Sequence, residues 1–300
     1  MRRRPRIRKY LPLYVMLAPV LIYYIIFAYG PMFGLVIAFK DYNVFDGIAG
    51  SPWVGLKHFK QFFGSMFAPR IIRNTLMISL FDLLFGFTAP IILALMFNEV
   101  TSARFKKTAQ TISYLPYFIS TVVIVSMFVK FLSLDGGLIN RVLNLFGKES
   151  VYFLNESKYF WGLYTGMNLW KGLGWGTIIY LSSLTAINPE LYEASYVDGA
   201  GRWRQLWHIT LPGITNTIVV LFILRLGGLL SVGYESIILM YNPTIYETAD
   251  VISTYVYRRG LQDADYSFAT AVGLFQSVIG FVLVVLTNRI SRRVSDISIW

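Results

Sequence analysis

The sequence lacks cysteine and has little histidine and little charge. None of its 300 residues is cysteine, and its two histidines, His58 and His208, lie far apart along the chain. The absence of cysteine excludes disulfide bonds, thiol catalysis and thiolate-ligated metal sites, and two distant histidines argue against a histidine-rich metal centre. Charged residues make up 14% of the chain, against about 25% in a typical soluble domain.

A nucleotide-binding P-loop is also missing. The one Gly-Lys pair, Gly147-Lys148, is followed by Glu149 and not by the Ser or Thr that would ligate Mg²⁺. We therefore expect no ATP hydrolysis and no bound cofactor in this chain.

Apolar residues are what the chain has in excess. They make up 55% of it, and they form runs close to or beyond the roughly 20 residues that a membrane-spanning helix requires. The sequence predicts an all-α membrane protein with a single domain over residues 1–300. Its six expected transmembrane helices cover about 11–39, 73–97, 109–132, 160–186, 213–240 and 267–288.

The N-terminal stretch MRRRPRIRKY precedes the first apolar run and so has the polarity of a signal peptide. The uncharged run from Leu11 to Phe39 is much longer than the usual apolar region of about 7–15 residues in such a peptide, and no A-x-A cleavage pattern closes it. We expect a retained first span with a basic cytoplasmic anchor.

The distribution of Lys and Arg predicts the orientation in the membrane. Basic residues are densest at the two termini, so both termini are expected in the cytoplasm. The net charge of +11 is then interpreted as basic flanks against anionic lipid, and no nucleic-acid partner is expected. Segment 40–72 is then expected on the extracytoplasmic side of the membrane. It is either an interfacial aromatic belt or a docking surface for an extracytoplasmic partner.

The last cytoplasmic loop, residues 187–212, has an ordered polar pattern. Asn188 is a suitable helix N-cap before Pro189, and Gly199 can end that helix in a left-handed conformation. A second short helix is expected to end at Leu211-Pro212, and it carries an apolar stripe of Trp203, Leu206 and Trp207. The pattern alone fits a plain amphipathic connector as well as a surface for a partner protein.

Residues 193–212, EASYVDGAGRWRQLWHITLP, resemble the EAA loop of ABC importer permeases. The pattern of that family is E-A-A, three residues, G, nine residues and I-x-L-P, and the spacing matches throughout. Ser195 replaces the third alanine, and it is small enough to preserve packing in a groove. The coupling positions that the resemblance implies are Glu193, Ala194, Ser195, Asp198, Gly199, Ala200, Ile209, Leu211 and Pro212.

The resemblance covers nearly the whole chain. It implies six transmembrane helices with the type I ABC importer permease fold, in a bacterial cytoplasmic membrane. It also implies that the short loop helix couples to a separate ATPase, present in two copies that bind ATP and Mg²⁺. The other implied partners are a second homologous permease subunit, favoured to differ from this chain, and an extracytoplasmic solute-binding protein.

Four ionisable residues fall inside the expected spans, namely Asp82, Lys171, Arg225 and Glu235. Each costs roughly 2.5–3.5 kcal/mol at mid-bilayer on insertion scales. They either pair internally, as Lys171 with Glu235 or Arg225 with Asp82, or they line a polar passage.

The stretch NLWKGLGWG, residues 168–176, combines tryptophans with glycines inside the fourth span. Small residues beside tryptophan are typical of helix packing, whereas aromatic faces beside amide or charged groups suit a sugar. The stretches PMFGLVIAFKDYNVFDGI, WVGLKHFKQFF and DGGLIN are similar to the branch of these permeases that imports oligosaccharides, including polysaccharide fragments. The candidate substrate path is Asn168, Trp170, Lys171, Gly172, Trp175, Arg225, Leu229, Val232 and Glu235.

Lys171 and Arg225 favour an acidic sugar such as a uronate, because desolvated cations pair well with carboxylates. Three alternatives stay open: an ABC importer for another solute, an ion-coupled secondary transporter, and a membrane-embedded enzyme. The coupling loop argues against the last two.

Overall fold

The computed structural model describes residues 7–294. Among these residues the regular structure is helical, and the isolated antiparallel bridge between Lys40 and Trp53 is the one β pairing. The α-helices are α1 (Ile7–Tyr24), α2 (Gly30–Met32), α3 (Gly47–Gly50), α4 (Lys57–Phe63), α5 (Ala68–Phe81), α6 (Thr88–Glu99), α7 (Ala103–Tyr114), α8 (Thr121–Leu132), α9 (Leu138–Leu145), α10 (Phe160–Thr185), α11 (Pro189–Val197), α12 (Arg202–Gln205), α13 (Leu211–Gly227), α14 (Tyr234–Met240), α15 (Tyr246–Ala249), α16 (Ile252–Tyr257) and α17 (Tyr266–Val294).

Short π and 3₁₀ turns join several of these helices into longer ones. Such turns often mark functional positions, because they shift the side chains that follow around the helix axis. The π turns are Ile25–Tyr29, Asp82–Phe87, Leu206–Thr210 and Arg258–Gln262, and the 3₁₀ turns are Phe33–Phe39, Leu115–Phe118, Phe153–Asn155, Ser157–Tyr159 and Pro243–Ile245.

Four helical stretches in residues 7–294 are long and apolar enough to cross a membrane: Tyr10–Phe39, Ala68–Glu99, Arg202–Gly227 and Tyr266–Arg293. A fifth is obtained if Ala103–Phe118 and Thr121–Leu132, which meet at a bend of 100°, count as one span. Helix α10, at the expected fourth span, has 26 residues. It is not one of these stretches, and its middle holds Lys171 and three glycines.

Two predicted spans are not continuous helices. The expected span 109–132 bends where Pro116 closes one helix and Ser120 caps the next by accepting from the Val123 amide. The expected span 213–240 stops at Gly227, and helix resumes only at Tyr234. The prediction of one unbroken fifth helix is therefore wrong, and the pair Gly227-Gly228 explains the break, since glycine disfavours a helix interior.

The chain divides into two compact units. The first comprises the chain up to Ser65 together with Val256–Phe275. In it the buried His58 contacts the Lys40 carbonyl oxygen through Nε2 at 3.0 Å, and the buried Phe62 packs edge-on against Phe268. The Lys57 ammonium lies 2.7 Å from Asp41, and this hydrogen bond lowers the pKa of the Asp41 carboxyl.

The second unit comprises Met66–Tyr255 and the chain from Gln276. One apolar cluster joins α5, α8, α10 and α14 around Ile78, Ile124, Met167 and Ile237. A second joins α6, α10 and α13 around Ala94, Tyr180, Leu184 and Ile214. Both clusters include α10, so this helix is the central element around which the second unit packs.

Glycines determine how closely α10 approaches its neighbours. A Cβ atom at Gly174 would lie 2.1 Å from the Ser113 carbonyl oxygen of α7, and one at Gly176 would lie 3.0 Å from the Pro90 side chain. At Gly172 nothing lies within 4 Å of a Cβ atom. Helix α10 is continuous through these glycines, and two of them allow the close helix packing that is one of the two predicted interpretations of this stretch.

We expect Gly174→Val to destabilise the folded protein by at least about 3 kcal/mol, because the contact is with backbone that cannot yield. The yield of monodisperse protein in detergent and its apparent Tm measure this. Gly162→Val on the same helix is the control, because a Cβ atom there meets nothing within 4 Å. Equal Tm values for the two variants would contradict the packing argument.

Candidate coupling loop and transport cavity

Helix α11 has the start and the end that the loop sequence predicts. The Asn188 side chain accepts a hydrogen bond from the Glu190 amide at 3.1 Å. At the other end Gly199 has φ of +73°. The Ala200 amide donates to the Ser195 carbonyl at 2.9 Å, and the Gly199 amide donates to the Tyr196 carbonyl at 3.0 Å. These two bonds form a Schellman motif, which requires the left-handed conformation that glycine adopts without strain.

Two side-chain hydrogen bonds hold α11 against the helix that follows it. The Tyr192 hydroxyl lies 3.0 Å from the hydroxyl of the buried Thr210. The Gln205 amide nitrogen donates to the Ser195 hydroxyl at 3.0 Å. Ser195, the one departure from the E-A-A pattern, thus supplies an acceptor that alanine lacks, and it ties the loop helix to the next transmembrane helix.

Several large apolar side chains of residues 191–207 are exposed, and we call the surface that they form the loop face. Glu193, Ala194, Asp198 and Gly199 are also exposed. Exposed apolar patches are typical of surfaces that contact a protein partner or the membrane. The large apolar side chains of the loop face are Leu191, Tyr196, Val197, Trp203 and Trp207, with Val197 86% and Trp203 75% exposed.

The second loop helix does not end at Leu211-Pro212 as the sequence predicts. Residues Arg202–Gly227 form one continuous helix. Pro212 lacks the backbone N–H that would donate to the preceding turn of the helix. The π turn Leu206–Thr210 lies immediately before Pro212 and accommodates the altered backbone hydrogen-bond pattern. The segment after the loop turn at Gly199 therefore belongs to the same helical stretch as the following span. Ile209 lies in that π turn and is half-buried.

A cavity of about 700 Å³ lies in the second unit. Its walls come from α5 and the following π turn, from α10, and from the broken segment 228–233. Seven of the predicted substrate-path residues line it, and they are Asn168, Lys171, Gly172, Trp175, Arg225, Leu229 and Val232.

An ion pair lies on the wall of this cavity. The Arg225 guanidinium binds both carboxylate oxygens of Asp82, as one of the two predicted alternatives requires. A Cβ atom at Gly86 would lie 2.6 Å from Asp82 Oδ1, so only glycine leaves room for the carboxylate in this position.

The other predicted pair, Lys171 with Glu235, does not form. The Lys171 ammonium instead donates to the Thr121 hydroxyl at 2.7 Å. Glu235 follows the helix break, lies exposed in the first turn of α14 and does not line the cavity. Trp170 is also outside the cavity lining, and it packs against Phe128 with ring centroids 5.9 Å apart.

Side chains from neighbouring helices satisfy the carbonyl groups of the broken segment. Irregular backbone at membrane depth is tolerated only where such partners or a polar cavity are present. In the stretch 229–233, every backbone carbonyl except that of Ser231 accepts a side-chain hydrogen bond. The pairs are Leu229 from Ser79, Leu230 from Gln276, Val232 from Ser253 at 3.1 Å and Gly233 from Tyr164 at 3.4 Å.

Part of the cavity wall was not predicted from the sequence. Tyr117 stacks on Trp175 with centroids 4.5 Å apart and planes 3° apart, and Phe118 meets the same indole edge-on at 5.8 Å. The sequence does contain a signal for Tyr117 and Phe118, because Pro116 directly before two aromatic residues indicates a turn that exposes their rings. Ser79, Tyr164 and Thr165 also line the cavity, and no motif marks them.

Comparison with known proteins decides the family. The profile of the family described as "Binding-protein-dependent transport system inner membrane component" matches residues 86–296. The chain belongs to this family. The permease is thus a membrane component of a transport system and not itself an enzyme.

The permease is 46% identical over 288 residues to the polygalacturonan/rhamnogalacturonan transport system permease protein YteP of Bacillus subtilis (strain 168), covering 96% of this chain and 90% of that protein. It matches a chain in the crystal structure of a bacterial ABC transporter that imports the acidic polysaccharide alginate, with a TM-score of 0.90, 48% identity and coverage of 96% and 98%. A further match is to the crystal structure of a bacterial alginate ABC transporter in complex with its alginate pentasaccharide-bound periplasmic protein, with a TM-score of 0.91, 47% identity and coverage of 100% of both chains.

These similarities establish the all-α type I ABC importer permease fold, as the coupling-loop pattern implied. The permease is a multi-pass membrane protein of an ATP-driven importer family.

Proposed function

We propose that the permease translocates acidic, uronate-containing oligosaccharides through the 700 Å³ cavity by alternating access. The observation that carries the proposal is the placement of Lys171 and Arg225 on the wall of one cavity together with the stacked pair Tyr117 and Trp175. Cations recognise carboxylates, and aromatic faces recognise the CH-rich faces of sugar rings. The substrates in the names of the similar proteins, polygalacturonan and the acidic polysaccharide alginate, support the same class.

The loop face is the proposed docking surface for an ATPase that hydrolyses ATP with Mg²⁺. Two copies of that ATPase, a second and different permease subunit and an extracytoplasmic solute-binding protein complete the proposed assembly. An alginate transporter in a complex with its periplasmic protein supports the last partner. Both termini lie in the cytoplasm in this arrangement, because the loop and the termini share the basic side.

Uptake by the reconstituted complex tests the substrate class. We expect Lys171→Gln and Arg225→Gln each to reduce transport of an acidic oligosaccharide roughly tenfold, because a lost charge-assisted hydrogen bond costs about 1.5 kcal/mol or more. Transport of the carboxyl-reduced oligosaccharide of the same length is expected to change little.

Lys158→Gln is the matched control, since Lys158 is an exposed lysine that pairs with Glu156 away from the cavity. Equal loss of acidic and carboxyl-reduced substrate in the cavity variants would remove the case for a uronate. It would leave an ABC importer for another solute as the function.

A further inference from the structure

A second, smaller cavity adjoins the first. Its volume is about 330 Å³, and its wall includes Phe87, Ile179 and Tyr180 of the second unit. Five residues line both cavities, namely Gly86, Pro90, Gly176, Leu224 and Arg225. The Arg225 side chain, which pairs with Asp82, thus lies on the wall that the two cavities share.

Local backbone structure on both sides of the contact holds Asp82 opposite Arg225. Asp82 begins the π turn Asp82–Phe87, which turns its side chain relative to the preceding helix. Gly86 lacks the Cβ atom that would occupy the carboxylate position. Arg225 lies in the last turn of α13, directly before the break at Gly228. Three independent local features therefore converge on one ion pair.

The pair is not sealed in the protein. The side chains of Arg225 and Asp82 are 48% and 40% exposed, and both face the cavity. Both partners of the pair are reachable from the cavity, so a carboxylate in the cavity can contact the Arg225 guanidinium directly. Arg225 can therefore exchange one carboxylate for another, whereas a neutral sugar has no carboxylate with which to pair.

We propose that Asp82 is a resident counter-ion of Arg225, and that a uronate carboxylate of the substrate displaces it as the substrate passes from one cavity to the other. When no acidic sugar is present, the pair holds the Arg225 side chain on the shared wall. Arg225 is then the specificity residue, because only a ligand with its own carboxylate can replace the contact between Arg225 and Asp82. This inference rests on the proposed transport of acidic oligosaccharides.

Equilibrium binding to the detergent-purified complex of the two permease subunits and the ATPase, without the solute-binding protein that would bind the same probes, tests the exchange. The probes are a galacturonate trimer and its carboxyl-reduced counterpart, measured by isothermal titration calorimetry. We expect Asp82→Asn to tighten binding of the acidic trimer roughly fivefold, because the trimer no longer competes with a resident carboxylate. Binding of the reduced trimer is expected to stay unchanged.

Gly86→Ala is a second variant that keeps the charge of the protein. Its Cβ atom would press on Asp82 Oδ1, so it should loosen the pair and tighten binding of the acidic trimer in the same direction. If Asp82→Asn does not fold, Gly86→Ala decides the question alone. Unchanged or weaker binding of the acidic trimer in the folded variants would overturn the exchange.

The wild-type complex separates this inference from the proposed function. If it binds acidic and reduced trimers equally, the acidic substrate class fails, and the exchange fails with it. If it prefers the acidic trimer while both variants behave like the wild type, the substrate class stands and the exchange alone is overturned.

Discussion

Gly199→Val is expected to uncouple the permease from its ATPase while the protein still inserts and folds. Gly199 has φ of +73° at the end of α11. A β-branched residue in that conformation costs roughly 1–3 kcal/mol. The chain relieves this strain by moving the end of α11, which carries the loop face. We therefore expect ATPase co-purification and uptake both to fall roughly tenfold or more.

Gly201→Val is the matched control for Gly199→Val. Neither Gly199 nor Gly201 has an atom within 4 Å of an added Cβ, so available space does not distinguish them. Gly201 has φ of −72° and ψ of 167°, which valine adopts readily. Loss of coupling in Gly199→Val with near-normal coupling in Gly201→Val would assign the effect to backbone conformation at one residue. Normal co-purification and uptake in Gly199→Val would refute the assignment of α11 as the coupling helix.

Features that depend on neighbouring residues could be predicted from the sequence. The Asn188 cap and the Gly199 turn follow from local backbone chemistry, and the structure confirms both. Apolar length likewise identified the membrane class, and the spacing from Glu193 to Pro212 identified the family before any comparison.

Features that depend on residues distant in sequence could not be predicted uniquely. The sequence left open whether Arg225 pairs internally or lines a polar passage, and in the structure Arg225 pairs with Asp82 on the wall of a cavity. The break after Gly227 is stable because Ser79, Tyr164, Ser253 and Gln276 satisfy its carbonyls, and no local pattern encodes four donors from separate helices. Gly172 and Gly174 are two residues apart and equivalent in sequence, yet only one contacts another helix.

Gly172→Trp is expected to abolish transport without disturbing assembly. Gly172 lines the 700 Å³ cavity, and nothing lies within 4 Å of its Cβ position. An indole there enters the volume that a substrate must cross, so uptake should fall at least about tenfold if ligand and indole compete for one cavity. The mutation leaves α11 and its hydrogen bonds intact, and co-purification with the ATPase should equal that of the wild type.

Gly172→Ala separates the blocked volume from the loss of glycine itself. Alanine removes the same backbone freedom and favours the helix by roughly 1 kcal/mol, but its methyl group meets open space. Uptake by Gly172→Ala should therefore stay close to the wild-type rate, with intermediate side chains such as leucine falling between alanine and tryptophan. A graded loss with side-chain volume would place the substrate beside α10. Full uptake by a folded Gly172→Trp permease would instead show that substrate passes by another route, and that Lys171 and Trp175 are structural residues.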